Sequence, residues 1–587
     1  MNTLASLPRS LLLLLLTASQ SFASPTWPPV SADQPVLQHP SSDGRRGGVA
    51  CESKVCSQIG IDLLARGGNA VDAFVGTQLC VGVIGMQHSG LGGGGFSLIR
   101  DRNGSYTVID YRESAPAAAF QDMYRDNVRG SVFTGLAAGV PGELRGLEEA
   151  HKRFGQLPWK AVVHPAAHVA RFGFPVTEDL VRYMDYAISF AGWNFLVEDP
   201  SWAQDFAPNG KLLTFGETLT RKRYADTLDA VADDGVDVFY TGPIANHTIA
   251  ALRADQGIMT LEDLVDYKAI VRESVNITYR GYKLFSSGAP SSGAVCLSTL
   301  KTMERYAAED TADTNLTLHR FDEAMRFAYG AHQQLGDPAY VESMDTLERV
   351  MLSASGAEAT RRLILDNTTQ PVENYLSKPY YTPAAHGTSH VVTADGDGMA
   401  VSSTTTVNTL FGNLIMVPET GVILNNEMND FSIPGVRNEF GYAPSPANFI
   451  RPGKRPLSSI TPVIVEHPNG TLYVTVGAAG GSRIISSTTQ VAWRVLEQGM
   501  TMLDAMREPR FHDQLMPNVA TFEYTFDNAT VASMREKGHN VTWVREGVSA
   551  VQGIRVTAGR FEAVGETRQK NSGGLSLEAH ETRMGEL

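Results

Sequence analysis

Residues 70–84, AVDAFVGTQLCVGVI, are apolar nearly all the way round a helical wheel, and Asn69 stands where it caps their first turn. A helix of that kind has no polar stripe to leave in water, so it must be covered, and the cover it predicts is a sheet. A second helix is predicted just before it, over 51–66, where Val55, Ile59 and Leu63 recur every four positions and Gly67-Gly68 ends the run. Cys56 and Cys80 then fall on adjacent helices. At 587 residues the chain exceeds the size at which one core stops growing, which predicts several domains or one large layered domain.

The run from Ser89 to Phe96 contains Gly90, Gly92 and Gly95 in dinucleotide-loop spacing, but it follows a helix, whereas a dinucleotide loop follows a strand. It reads instead as a glycine turn leading into a strand over 96–100, and a second strand over 106–111 delivers Arg112 at its end. From 141 to 385 the pattern is mostly helical. His164 and His168 lie four apart there, without the glutamate of a zinc-protease helix, and read as a surface pair. No Gly-x-Ser-x-Gly elbow or Gly-Lys-Thr phosphate loop occurs.

After residue 388 the texture turns to β. Val391-Val392, the turn 395–398 and the strand 400–403 predict a hairpin, whose acidic turn imitates a calcium loop only superficially. Further strands are predicted over 462–466, 472–476, 541–544, 550–556 and 561–564, and a flexible tail over 575–587.

Arg9-Ser10, six leucines and a small-residue stretch ending at Ala23 have the three regions of a secretory signal over 1–23, with an uncleaved anchor as the alternative. Eight Asn-x-Ser/Thr sequons, at Asn103, Asn246, Asn276, Asn315, Asn367, Asn469, Asn528 and Asn540, point the same way. The expected destination is extracellular, with the vacuole or cell surface as alternatives, and no stable membrane span is expected. A net charge of -14 argues against nucleic acid or anionic membrane as partner. Four cysteines, Cys51, Cys56, Cys80 and Cys296, make neither a disulfide scaffold nor a paired zinc site.

Gly387-Thr388 carries the chemical question. A threonine hydroxyl is ordinarily inert, and taken by itself Thr388 reads as the start of a strand. If the peptide bond before it is cut, its own freed α-amine becomes its general base, and Gly387 supplies the backbone freedom for the cut.

Between 47 and 574 the motifs GGNAVDA, SGLGGGGFSLI, GVPGELRGLEEAH, TSHVV, LNNEMNDFS, RPGKRPLSSITP and GAAGGSRII follow in order. In these the chain resembles the γ-glutamyltranspeptidases, members of the N-terminal nucleophile hydrolase superfamily. The resemblance implies an α+β fold, a four-layer αββα sandwich. It also implies cleavage between Gly387 and Thr388, giving a large subunit over 24–387 and a small one over 388–587. Expected activity is transfer of the γ-glutamyl group of glutathione and related compounds to water or to amino acid and dipeptide acceptors, with no metal or organic cofactor.

By the same resemblance Thr388 is the nucleophile, Thr406 orients it, and the amides at Gly480 and Gly481 form an oxyanion hole. Arg112, Ser458 and Ser459 take the substrate α-carboxylate, while Asp430, Glu427 and Asn408 take the α-ammonium. Without the resemblance these residues read as an ion pair of Arg112 with Glu113 or another acid, a strand start at 457–459, a tight turn at 480–481, a solvated loop charge and strand filler. Cys56 and Cys80 match a bridged pair, whereas Cys51 and Cys296 have no counterpart and a second bridge between them stays open. A segment over 437–442 lies where the family's lid varies. The alternatives are a β-lactam or amide acylase on the same fold, and an uncleaved secreted binding protein.

Overall fold

The computed structural model describes residues 47–308, 313–376, 378, 380–381, 387–438 and 441–577; the predicted signal at 1–23 lies outside them. In chain order the strands of its two large sheets are β1 (Gly47–Cys51), β2 (Gly94–Arg100), β3 (Tyr106–Asp110), β4 (Ile270–Arg272), β5 (Ser274–Tyr279) and β6 (Tyr282–Ser287). They continue with β7 (Ser389–Asp395), β8 (Ala400–Thr406), β9 (Val463–Glu466), β10 (Leu472–Ala479), β11 (Ala550–Thr557), β12 (Arg560–Val564) and β13 (Gly573–Leu577). One sheet runs β13-β1-β7-β8-β2-β3-β4 and the other β12-β11-β10-β9-β6-β5. Every pairing in both is antiparallel.

The two-residue period of the strands sorts their side chains into layers. Val392, Ala400 and Leu98 of the first sheet meet Ile464, Leu472 and Ile554 of the second in an apolar seam. The neighbouring Val391, Val401 and Ile99 face outward, into a core shared with α1 (Lys54–Ala65), α2 (Ala70–Ile84), α3 (Glu143–Phe154) and α4 (Trp159–Phe172). On the other flank Val463, Val465, Val476 and Val551 meet α5 (Gly293–Met303), α6 (Thr314–His332), α7 (Arg483–Glu497) and α8 (Met502–Arg507). The result is the four-layer αββα arrangement.

The predicted helix over 70–84 forms with those bounds, and Asn69 caps it by accepting from the amides of Val71 and Asp72. Its burial against β7 and β8 explains the lack of a polar stripe. The hairpin after Thr388 also forms, and its acidic turn is structural: Asp395 accepts the amides of Ala70, Asp397 and Met399. His164 sits on α4, half-exposed, 3.1 Å from Asp229.

Three expectations need correction. The helix predicted over 51–66 starts only at Lys54, because 47–51 is spent as a strand, and Val55 is 41% exposed. Cys56, Ile59 and Leu63 carry its buried face instead. The stretch 141–385, read as mostly helical, contributes β4, β5 and β6 as well. Finally, 575–577 is no flexible tail, since it belongs to β13, which covers the open edge of β1 and packs Leu575 and Leu577 against Val49, Ile61 and Leu64. Residues 578–587 lie outside the described part.

Candidate active site

Antiparallel pairing of Ser389 with Thr405 sets the residues next along, Thr388 and Thr406, side by side at the ends of β7 and β8. Their hydroxyls converge on one atom. Thr388 Oγ1 donates to the carbonyl oxygen of Gly387, and Thr406 Oγ1 donates to the same oxygen at 2.9 Å while accepting the Asn408 amide at 2.7 Å. Gly387 holds φ of +93°, and a Cβ there would stand 2.7 Å from the carbonyl oxygen of Asn408, so glycine is required on both counts. Ser389 donates to Glu52, and the other Glu52 oxygen lies 3.0 Å from His88 Nδ1. Glu52, His88 and Ser389 were not among the sequence candidates.

A cavity of about 460 Å³ opens beside Thr388, lined among others by Gly387, Gly480, Arg483, His512 and Arg545. Gly480 and Gly481 follow β10 with φ of +125° and +61°, and turn the chain into α7, whose positive N-terminal end meets this cavity. A Cβ on Gly480 would stand 2.8 Å from Val548 O. Burial pushes His512 down to about 3, so its ring is neutral there.

Arg112, Asn408, Glu427, Asp430 and Ser458 are buried in a second group that does not line the cavity, and Ser459 next to it is half-buried. Arg112 leaves the end of β3 and pairs through Nη1 with Glu427 and through Nη2 with Asp430, while the Leu457 carbonyl takes Nη2 at 3.3 Å. Glu113 stands 4.0 Å off and has no hydrogen bond on either oxygen, so the ion pairs of Arg112 are with other acids. Burial raises the Glu113 carboxyl to about 8 despite Arg112 beside it, and burial likewise pushes Glu427 well up.

Asparagines assemble this group. Asn448 donates to Asp430 O and accepts the Leu457 amide, tying the acid to the loop that bears Ser458 and Ser459. Asn425 joins the Glu427 amide to Gly92 O and Gly139, which pins this loop to the glycine turn. Ser458 Oγ accepts the Ile460 amide at 3.2 Å. Asn408 connects the two groups: its amide binds Thr406, and its Nδ2 donates to Asn426 O at 2.9 Å. Asn408 Oδ1 and Glu427 Oε2 are buried and accept nothing, so this enclosure holds unused acceptors suited to a ligand ammonium.

Cys56 and Cys80 form a disulfide between α1 and α2. Cys51 and Cys296 are free and buried in separate cores, so no second bridge joins them, and burial pushes both thiols up to about 12.

Comparison with known proteins gives a consistent picture. The family described as Gamma-glutamyltranspeptidase matches residues 56–575. The chain is 50% identical over 545 residues to the glutathione hydrolase proenzyme of Arthroderma benhamiae, across 91% of this chain and 93% of that protein. It is 46% identical over 532 residues to the glutathione hydrolase of Aspergillus flavus, across 90% and 89%. Among solved structures, cephalosporin acylase from Bacillus halodurans superimposes with a TM-score of 0.79 at 25% identity, covering 95% of this chain and all of that one.

Proposed function

The chain belongs to the gamma-glutamyltranspeptidase family, and from that premise we propose that Thr388 is the nucleophile through which it acts as a self-processing glutathione hydrolase and γ-glutamyltransferase. The observation that carries this assignment is the pair of hydroxyls, from Thr388 and Thr406, on the Gly387 carbonyl. Two donors polarise that carbonyl, and one of them is the group that attacks it. Attack by Thr388 Oγ1 on the Gly387 carbon breaks the C–N bond and leaves an ester with a free Thr388 amine. Water then releases residues 24–387 as the large subunit and 388–587 as the small one.

In the mature enzyme the Thr388 amine takes the proton of its own hydroxyl as the oxygen attacks the substrate γ-carbonyl. The turn at Gly480-Gly481, at the head of α7, stabilises the charge that develops on the carbonyl oxygen. Cysteinylglycine leaves with the proton, and water or an acceptor amine takes the γ-glutamyl group from Thr388. Arg112 and Ser458 with Ser459 receive the substrate α-carboxylate by exchange with Glu427 and Asp430. Those acids turn to the α-ammonium, with Asn408 Oδ1 as a further acceptor. An acylase shares the fold, but a paired arginine and two acids beside unused acceptors suit a zwitterion, which favours the γ-glutamyl reading.

No helix among the described residues is long and apolar enough to cross a membrane. The leader at 1–23 and the eight sequons support export to the cell exterior, and the acidic net charge supports a small-molecule partner over nucleic acid. Mass spectrometry of the mature protein is expected to find a new amino terminus at Thr388. A Thr388→Ala chain is expected to stay whole and inactive; one that still splits and turns over a γ-glutamyl anilide would sink the assignment.

A further inference from the structure

On α6, His319, Asp322, Glu323 and Arg326 stand at positions i, i+3, i+4 and i+7 and so share one face. They meet Asp513 and His539, and all six side chains are buried. Arg326 pairs with Asp513 at 2.6 Å and stands 3.9 Å from Glu323. Glu323 is satisfied by the hydroxyls of Thr369 and Tyr375. Asp322 is not satisfied: neither of its oxygens accepts a hydrogen bond, and its exposure is 0%.

The two histidines show where a positive charge belongs. The Leu365 carbonyl, 2.8 Å from His319 Nε2, can only accept, so a neutral His319 carries its proton there and accepts on Nδ1. His539 Nε2, 2.8 Å away, must then be the donor. In a neutral His539, Nδ1 is then bare, 3.1 Å from Asp322 Oδ2, and the geometry places no hydrogen bond between the two atoms. Two acceptors face each other out of water, which is costly unless something positive lies between them. One ligand atom from each of Asp322, Asp513 and His539 lies within 4.8 Å of the others.

We propose that Asp322, Asp513 and His539 bind a divalent cation that takes mixed nitrogen and oxygen ligands, zinc foremost. Ligands at about 2.1 Å from a tetrahedral ion stand roughly 3.4 Å apart, close to the spacing already present between His539 and Asp322. The His319 ring and the Leu365 carbonyl behind it fix the tautomer and orientation of His539, the support that a metal-bound imidazole needs. Arg326, paired with Asp513 and 3.9 Å from Glu323, makes no ion pair with Asp322, whose charge a divalent ion would offset. Asp322 precedes the Gly387–Thr388 bond while Asp513 and His539 follow it; on the reading that this bond is cut, the ion joins the two subunits.

The test uses the mature protein and the uncut Thr388→Ala chain, each dialysed against EDTA, titrated with ZnCl2 or CoCl2, and freed of excess metal by gel filtration. About one zinc per large and small subunit pair, and one per uncut chain, is expected, with a raised Tm and a visible Co²⁺ absorption of low-symmetry coordination. Asp322→Asn and His539→Gln are expected to lose the ion. If a variant fails to fold, the cobalt spectrum and metal content of the parent chain decide the matter. The proposal is overturned if the parent holds no zinc and its Tm ignores it, which leaves a shared proton between Asp322 and His539. Zinc retained equally by both variants overturns it too. Because the uncut chain is measured alongside, a failure of cleavage leaves the metal result standing by itself.

Discussion

Arg112 is held by two acids and two carbonyls, so its side chain is oriented without substrate. A lysine there reaches one acid at a time and leaves the other buried and unpaired, a loss of about 2–5 kcal/mol. Arg112→Lys is therefore expected to lower kcat/KM for a γ-glutamyl anilide by about 30-fold or more. A variant within threefold of the parent would favour the acylase reading. Glu143 makes a second prediction. It accepts from Gln78 and Thr405 behind β8, and burial raises its carboxyl from 4.5 to about 7. The folded chain thus holds a proton that the unfolded chain gives up above pH 4.5. This stabilisation is complete below that pH and is lost as the pH rises to about 7, by at most about 3 kcal/mol. Glu143→Gln is expected to flatten the fall of Tm over that window; an unchanged slope would refute it. At this scale Arg112, Glu427 and Asp430 were legible through their motifs. Glu52 and Asn448 were not, because their roles are contacts with Ser389, Asp430 and Leu457 across 337, 18 and 9 positions of chain.

Elements were legible in proportion to how uniform their environment is. α2 is buried on nearly all sides, and its extent was legible in the sequence. β5 and β6 sit at one edge of the second sheet with alternating exposed positions, so their polar residues read as part of a helical stretch. Their signal was the two-residue turn between them, where Arg280 and Gly281 both take positive φ. β13 went unread because its partner edge on β1 lies far away in sequence. Gly92 and Gly95, formally a dinucleotide pattern, serve instead to let backbone touch backbone: a Cβ on either would stand 2.0 Å from a carbonyl oxygen of Ile423 or Thr404. The Cys56–Cys80 bridge closes a separation of 24 residues between α1 and α2. Replacing both cysteines by alanine is expected to lower stability by about 2–4 kcal/mol. Guanidinium unfolding without reductant checks this, and an unshifted midpoint would show that packing alone holds the two helices.

Across the whole molecule the segments before and after Thr388 are woven together. β7 and β8, which follow Thr388, lie between β1 and β2, which precede it, and β6 of the earlier segment pairs with β9 of the later one. Cutting one peptide bond removes none of these ladders. The two chains are expected to co-elute in high salt after processing and to part only when denatured; separation under native conditions would contradict the interleaved sheets. What the amino-acid sequence determined alone was whatever rests on local pattern or ordered motif: the buried helix, the hairpin after Thr388, the layered class, and the family whose motifs single out Thr388 and Arg112 as candidates. Only the tertiary structure decided which carbonyl the Thr388 and Thr406 hydroxyls share, that Arg112 is already paired, and that Asp322 faces His539. Each of those depends on groups brought together by strand register and helix packing, and distances of that kind are written in no short stretch of chain.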